Sequence, residues 1–210
     1  MTAPKWKRRK EARPLEIVAA ALAVFAEKGF AAARTEDIAA RAGISKGALY
    51  LYFPTKEDMF RAVVRDAVLP NVEALKAHIE TTDLPFAELL RAVLPRFAEM
   101  LVHTRLGAVA KMVVGESGNF PELARVWYDD VISRGVGMIS ALIERAQQRG
   151  EIRPGDPRTH AFSIMGPMLM GVIWRETFTP IGGDDVDLAA VARQHVETVL
   201  DGLLARGGIR

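Results

Sequence analysis

One stretch constrains this chain more than any other: residues 35–56, Thr-Glu-Asp-Ile-Ala-Ala-Arg-Ala-Gly-Ile-Ser-Lys-Gly-Ala-Leu-Tyr-Leu-Tyr-Phe-Pro-Thr-Lys. It reads as two short helices joined by a tight turn. Thr35 suits an N-cap, and Glu36 and Asp37 follow where the helix dipole favours negative charge. Ile38, Ala39 and Ala42 give the first helix a small apolar face. Gly43 stands where a helix ends in left-handed backbone, which glycine adopts at little cost. Ile44 is a plug for a core, Ser45 caps the second helix, and Pro54 ends it near Phe53. This is the pattern of a helix-turn-helix, whose second helix lies in the DNA major groove.

The second helix carries residues suited to that role. Leu49 and Phe53 share a face and point inward, which leaves Lys46, Gly47, Ala48, Tyr50 and Tyr52 to face outward. Small residues let a backbone approach DNA closely, and tyrosine hydroxyls reach phosphates. Thr55 caps the following helix. Lys56 sits in its first turn, where a cation opposes the dipole unless an anion such as a phosphate is near. Thr35, Tyr50, Tyr52 and Lys56 are therefore candidate phosphate contacts. Lys46, Gly47 and Ala48 are candidates to face base edges, with Ser45 at the head of the helix.

On these residues the chain resembles the TetR family of one-component transcriptional repressors. The resemblance rests on Gly43-Ile-Ser-Lys-Gly-Ala-Leu-Tyr-Leu-Tyr-Phe-Pro-Thr-Lys-Glu-Asp-Met-Phe60, on Phe25-Ala-Glu-Lys-Gly-Phe30 and on Thr35-Glu-Asp-Ile-Ala39. It spans residues 14–60, and the remainder is similar only in length and helical character. It implies an all-α fold of about nine helices. An N-terminal three-helix helix-turn-helix domain precedes a C-terminal helical domain for ligand binding and dimerisation. It also implies a C2 homodimer through the last two helices, about 158–177 and 186–205, release from a palindromic double-stranded operator by a small-molecule effector, and no cofactor.

Composition agrees. The chain has 210 residues, 50% of them hydrophobic, enough for a core. With no cysteine, disulfides, thiolate metal sites and cysteine nucleophiles are excluded. No apolar segment follows the basic first ten residues as in a secretory signal, and no apolar run reaches the roughly 20 residues of a membrane span. A soluble cytoplasmic protein without membrane partners is expected. Residues 1–56 hold 11 Lys/Arg against 5 Asp/Glu, and the rest 17 against 21. A basic front and acidic back direct the front towards nucleic acid.

Three segments follow: a flexible basic arm over 1–13, the helix-turn-helix domain over 14–60 and a regulatory body over 61–210. The arm has two readings of equal weight, phosphate or minor-groove contact and a solvated tail. Pro14 opens the first helix, whose stripe is Ile17, Val18, Ala21, Leu22 and Phe25. Ile38, Ile44, Leu49 and Phe53 should meet Leu22 and Phe25 at the domain's centre. A fourth helix starts near Lys56, with Pro70 expected to kink or break it. Later helices are expected from Pro85, with a kink at Pro95, over Leu106–Val114, from Pro121 to Arg149, and as the last pair. Ile164, Met165, Met168, Leu169, Val172, Ile173 and Trp174 exceed one core stripe, as a subunit interface requires.

No motif marks an effector site. Phe97, Met100, Met112, Trp127, Tyr128, Met138, Phe162, Met165, Met168 and Trp174 are candidate linings, because methionine and aromatics suit a plastic apolar pocket. Each is individually commoner as plain core. Arg96, His103 or Arg175 are candidates to orient a polar group, and the effector expected is apolar or amphipathic. An enzyme is not expected. The histidines at 78, 103, 160 and 195 are scattered, Glu99 and His103 make only an i,i+4 pair, and phosphate loops and nucleophile elbows are missing from the sequence.

Overall fold

The computed structural model describes the backbone over residues 5–204 and the side chains over 14–79 and 81–204. Eleven α-helical segments follow in order: α1 Lys5–Ala32, α2 Thr35–Arg41, α3 Lys46–Tyr52, α4 Lys56–Val63, α5 Leu69–Thr81, α6 Phe86–His103, α7 Leu106–Glu116, α8 Pro121–Trp127, α9 Ser133–Gln148, α10 Pro157–Thr177 and α11 Leu188–Leu203. A π turn over Val64–Val68 joins α4 to α5, and another over Tyr128–Ile132 joins α8 to α9, so the described residues form nine helical rods. Among them no strand is present beyond one isolated bridge, Ile152 to Leu204. The all-α expectation holds.

The chain divides into two compact units. The first is the chain up to Asn71 together with Ala108–Val131, and the second is Val72–Gly107 together with the chain from Ile132 onward.

In the first unit, α1 starts at Lys5 instead of Pro14. Residues 5–13 are almost all Lys, Arg, Glu and Ala, which favour helix whether or not they have a face to bury. The helix therefore claims most of the stretch expected as a flexible arm; residues 1–4 lie outside the described ones. Gly29 breaks the helix with φ 75° and ψ 170°, and a short helical turn over residues 30–33 follows. Phe25, Phe30, Phe60 and Phe120 form an aromatic cluster, with ring centroids 5.0 to 6.3 Å apart and mostly edge-on contacts. Ile17, Ile38, Leu49 and Phe53 are buried in the same core, and Leu22 and Ile44 pack on its margin. Val109, Met112, Val113, Leu123 and Val126 complete it from the middle of the chain.

Pro70 neither ends nor breaks the fourth rod. The π turn before it bonds the Leu69 N–H to the Val64 carbonyl. The Asn71 side chain donates to the Ala67 carbonyl at 2.8 Å. The wider turn accommodates the proline, and Asn71 adds a side-chain bond to the carbonyl four residues before it. Likewise α6 continues through Pro95 to His103. The expected helix from Pro121 to Arg149 is divided by the second π turn, across the weak helix formers Tyr-Asp-Asp-Val-Ile.

The second unit packs α6, α9, α10 and α11 around Phe86, Leu89, Ile143, Ile164, Met168, Leu188, Val196 and Leu200. α11 contributes Leu188, Ala192, Val196, Leu200 and Leu203, a helical stripe. α10 and α11 approach closely at Gly171, where an added Cβ would lie 2.3 Å from Leu188 Cδ1. Glu151 accepts the Phe86 N–H at 2.6 Å and caps α6 from 65 residues away. Arg91 donates twice to Glu197, each bond 2.8 Å, tying α6 to α11.

Candidate nucleic-acid interface

The motif folds by its own local chemistry. Gly43 takes φ +66°, and an added Cβ there would meet no atom within 4 Å, so glycine is needed for the backbone conformation and not for space. Ser45 caps α3 by accepting the Ala48 N–H at 3.1 Å. Thr55 and Asp58 form a reciprocal capping box on α4, with Asp58 Oδ2 3.2 Å from Thr55 N and Thr55 Oγ1 3.0 Å from Asp58 N. Leu49 is buried, so α3 has one orientation about its axis.

Side chains from both helices meet on the open edge. Thr35 Oγ1 lies 3.3 Å from the Tyr50 hydroxyl. Lys46 donates to Glu36 Oε1 at 2.5 Å, and its ammonium stands 5.8 Å from the Tyr50 ring centroid. The hydrogen bond from Lys46 holds the Glu36 carboxyl below its ordinary value, and the same bond raises Lys46. Gly47 has open space where a side chain would stand. Ala48 is half-buried and Tyr50 is 41% exposed.

Three placements differ from the sequence expectation. Thr35 is the first residue of α2 and not its N-cap; Arg34 occupies the cap position without a side-chain bond, and the Thr35 hydroxyl is turned to Tyr50. Tyr52 is half-buried against the core and does not face fully outward. Leu51, passed over in the sequence reading, is 85% exposed. A helical wheel that assigns Leu inward conceals it; its signal is that Leu49 and Phe53 already fill the inward face. Lys56 sits in the first turn of α4 as expected, with its ammonium donating to the carbonyls of Phe30 at 2.7 Å, Ala33 at 3.1 Å and Ala31 at 3.4 Å.

The ten candidate pocket residues fall in both units. Met112 is buried in the first unit's core, with Trp127 packed on it, and Tyr128 is exposed. In the second unit Met168 is buried, while Phe97, Met138 and Met165 pack against that core, and Met100 is half-buried. Phe162 is exposed. Trp174 lines an open apolar groove of about 490 Å³ with Gly166, Pro167, Met170, Gly171, Val186 and Val191. A smaller space of about 160 Å³, lined by Ile79, Thr81, Thr82, Asp83, Leu84, Leu89, Leu142, Arg145 and Arg149, includes none of the ten. No helix among the described residues is long and apolar enough to cross a membrane.

A capped recognition helix, a left-handed glycine turn and a polar edge built from both helices define a helix-turn-helix regulator. Residues 17–63 match the family described as bacterial regulatory proteins, tetR family, and residues 88–206 match the AefR-like transcriptional repressor C-terminal domain. The chain belongs to the TetR family of bacterial transcriptional regulators. It is 25% identical over 198 residues to the fatty acid metabolism regulator protein of Bacillus subtilis, covering 92% of this chain and 98% of that one. It is 40% identical over 177 residues to the transcriptional regulator RutR of Escherichia coli K12, covering 78% and 75%. The crystal structure of FadR from Bacillus subtilis in complex with stearoyl-CoA has the same fold, with a TM-score of 0.74 at 23% identity, covering 90% and 98%. The chain is a DNA-binding transcriptional regulator of this family, and a relative, BepR of Brucella suis, is a transcriptional repressor.

Proposed function

We propose that a homodimer places two copies of α3 in successive major grooves of a near-palindromic operator, about one turn apart. Thr35, Tyr50 and Tyr52 hold phosphates through neutral hydrogen bonds. Lys46, Gly47 and Ala48 face base edges at the head of α3, with Ser45 as its cap, and Lys46 exchanges Glu36 for a guanine edge. Leu51 adds an apolar contact of the kind a thymine methyl accepts. Lys56 stiffens the turn behind the motif and adds positive potential towards the backbone. The observation that carries this reading is the meeting of Thr35, Lys46 and Tyr50, from two helices, on one open edge.

The surface of α10 supports dimerisation. One face of it, Ala161, Ile164, Met168 and Val172, is buried in its own unit. Phe162, Leu169 and Met170 lie on another face and stay exposed, beside the groove at Trp174. Contiguous apolar surface of this kind marks an interaction site. The two final helices therefore pair with those of a second copy.

The effector is an apolar or amphipathic molecule. Phe97, Met100, Met138, Met165 and Met168 in the second unit support this, as does the stearoyl-CoA bound by the neighbouring FadR structure. Effector binding favours a dimer whose heads no longer fit the operator, and repression is lifted in the cytoplasm by population shift. A footprint on DNA selected from random sequence tests the reading: it should show two protected half-sites about one turn apart. A single unsymmetric half-site would contradict it.

A further inference from the structure

The turn after Gly29 is held at both ends by side chains from elsewhere. Glu116, the last residue of α7, accepts the Phe30 N–H at 2.8 Å and the Ala31 N–H at 2.6 Å, from 86 and 85 residues away. On the other side Lys56 takes the turn's carbonyls and stands 4.5 Å from the Phe30 ring centroid. Free N–H groups thus meet an anion and free carbonyls meet a cation, matching the dipole of the turn. Within itself the turn has little to hold it: Ala33 N bonds Gly29 O at 3.2 Å, and one helical turn alone is not stable.

Two further observations point to Glu116. A Cβ on Gly29 would lie 2.4 Å from Glu116 Oε1, at a φ of +75°. Glycine there thus suits the carboxylate as well as the backbone. A carboxylate at a helix C-terminus also opposes that helix's dipole, so the stability of α7 does not explain it. Phe120, four residues on, stacks edge-on against Phe30 at 5.0 Å.

We propose that Glu116 is a positioning residue for DNA binding. Its carboxylate seats the turn that leads into α2, and so places Thr35 beside Tyr50 where the phosphates lie. This rests on the reading of Thr35 and Tyr50 as DNA contacts.

Electrostatics makes the test sharp. Removing a negative charge from a DNA-binding unit by itself favours DNA, so a loss of affinity on removing Glu116 must come through geometry. The variants are Glu116→Ala, Glu116→Gln and Glu116→Asp, with Glu122→Gln as control for an exposed pair 3.9 Å from Arg61. Two readouts are taken: affinity for a duplex selected by the wild-type chain, and amide hydrogen exchange at Phe30 and Ala31. Glu116→Ala should lose about tenfold in affinity, the scale of one or two charged hydrogen bonds, and both amides should exchange faster. Gln keeps one acceptor at full reach and should lose less. Asp keeps the charge but is one methylene short, and should behave like Ala. The control should bind as wild type.

Unchanged or tighter binding by Glu116→Ala would overturn the proposal, as would Asp matching wild type or unaltered exchange at both amides. A wild-type chain that selects no duplex would overturn the DNA reading itself, and the proposal with it. The two failures are therefore distinguishable.

Discussion

The Tyr50 hydroxyl lies 3.3 Å from Thr35 Oγ1, joining the recognition helix to the helix before it at their common edge. Thr35 Oγ1 also lies 3.3 Å from Glu36 Oε2; with Thr35 donating to Tyr50 instead, the Tyr50 O–H is left to point outward without breaking the pair. On the proposed reading that donor meets a phosphate, which carries no sequence information. Tyr50→Phe should therefore weaken binding to operator and random DNA alike, by roughly three- to tenfold. A titration of both duplexes checks it. A loss confined to the operator would make Tyr50 a base reader.

Lys46 is paired in the free protein. Glu36→Gln frees its charge for any phosphate. Affinity for random DNA should rise more than affinity for the operator, and the salt slope on random DNA should steepen by about one ion. Lys46→Ala should relax the sequence preference of the selected site. Competition between matched and mismatched duplexes measures both effects.

Glu151 makes the second unit acid-sensitive. Burial pushes its carboxyl up, but the hydrogen bonds from Arg149 and the Phe86 N–H outweigh that and hold it below the ordinary 4.5. A carboxyl lowered in the folded state stabilises that state above about pH 4.5, and the contribution fades as pH falls through the folded value. Glu151→Ala should cost about 1–2 kcal/mol near neutral pH, as for a lost helix cap, and should flatten the acid limb of stability. Urea unfolding at a series of pH values reads both; an equal loss at every pH would exclude the linkage.

Gly171 of α10 lies against the Leu188 side chain of α11. Gly171→Ala places a methyl against Leu188, which is 1% exposed within the core. The expected cost is about 1–3 kcal/mol of stability. Denaturant unfolding should show a lower midpoint at unchanged slope.

Met170, 53% exposed, and Leu169, 47% exposed, make the last pair testable without touching the core. Leu169→Glu with Met170→Glu should halve the sedimenting mass and leave the helical signal intact. A double variant that still sediments as a dimer would place the interface elsewhere.

Much of this was readable in the chain because its signals are local. Gly43, Ser45 and the Thr55–Asp58 box each act within three or four residues, so the motif and its caps declare themselves. What escaped depends on distant partners. The turn that leads to Thr35 is seated by Glu116, and no pattern within the first 60 residues announces it. The orientation of Lys56 follows from the carbonyls of that same turn. Tyr52 and Leu51 differ in exposure because the core, not periodicity alone, sets the rotation of α3. Methionines and aromatics of the body look alike in sequence whether they line a cavity, fill a core or cover an interface, and here they divide between two units.

The measurement that bears most directly on the central claim is binding of the purified chain to a duplex of its own selection, titrated with salt against random competitor. Affinity that resists competitor by at least about a thousandfold, with a steep salt slope, is the predicted result. Binding that random DNA abolishes at equal concentration would contradict it.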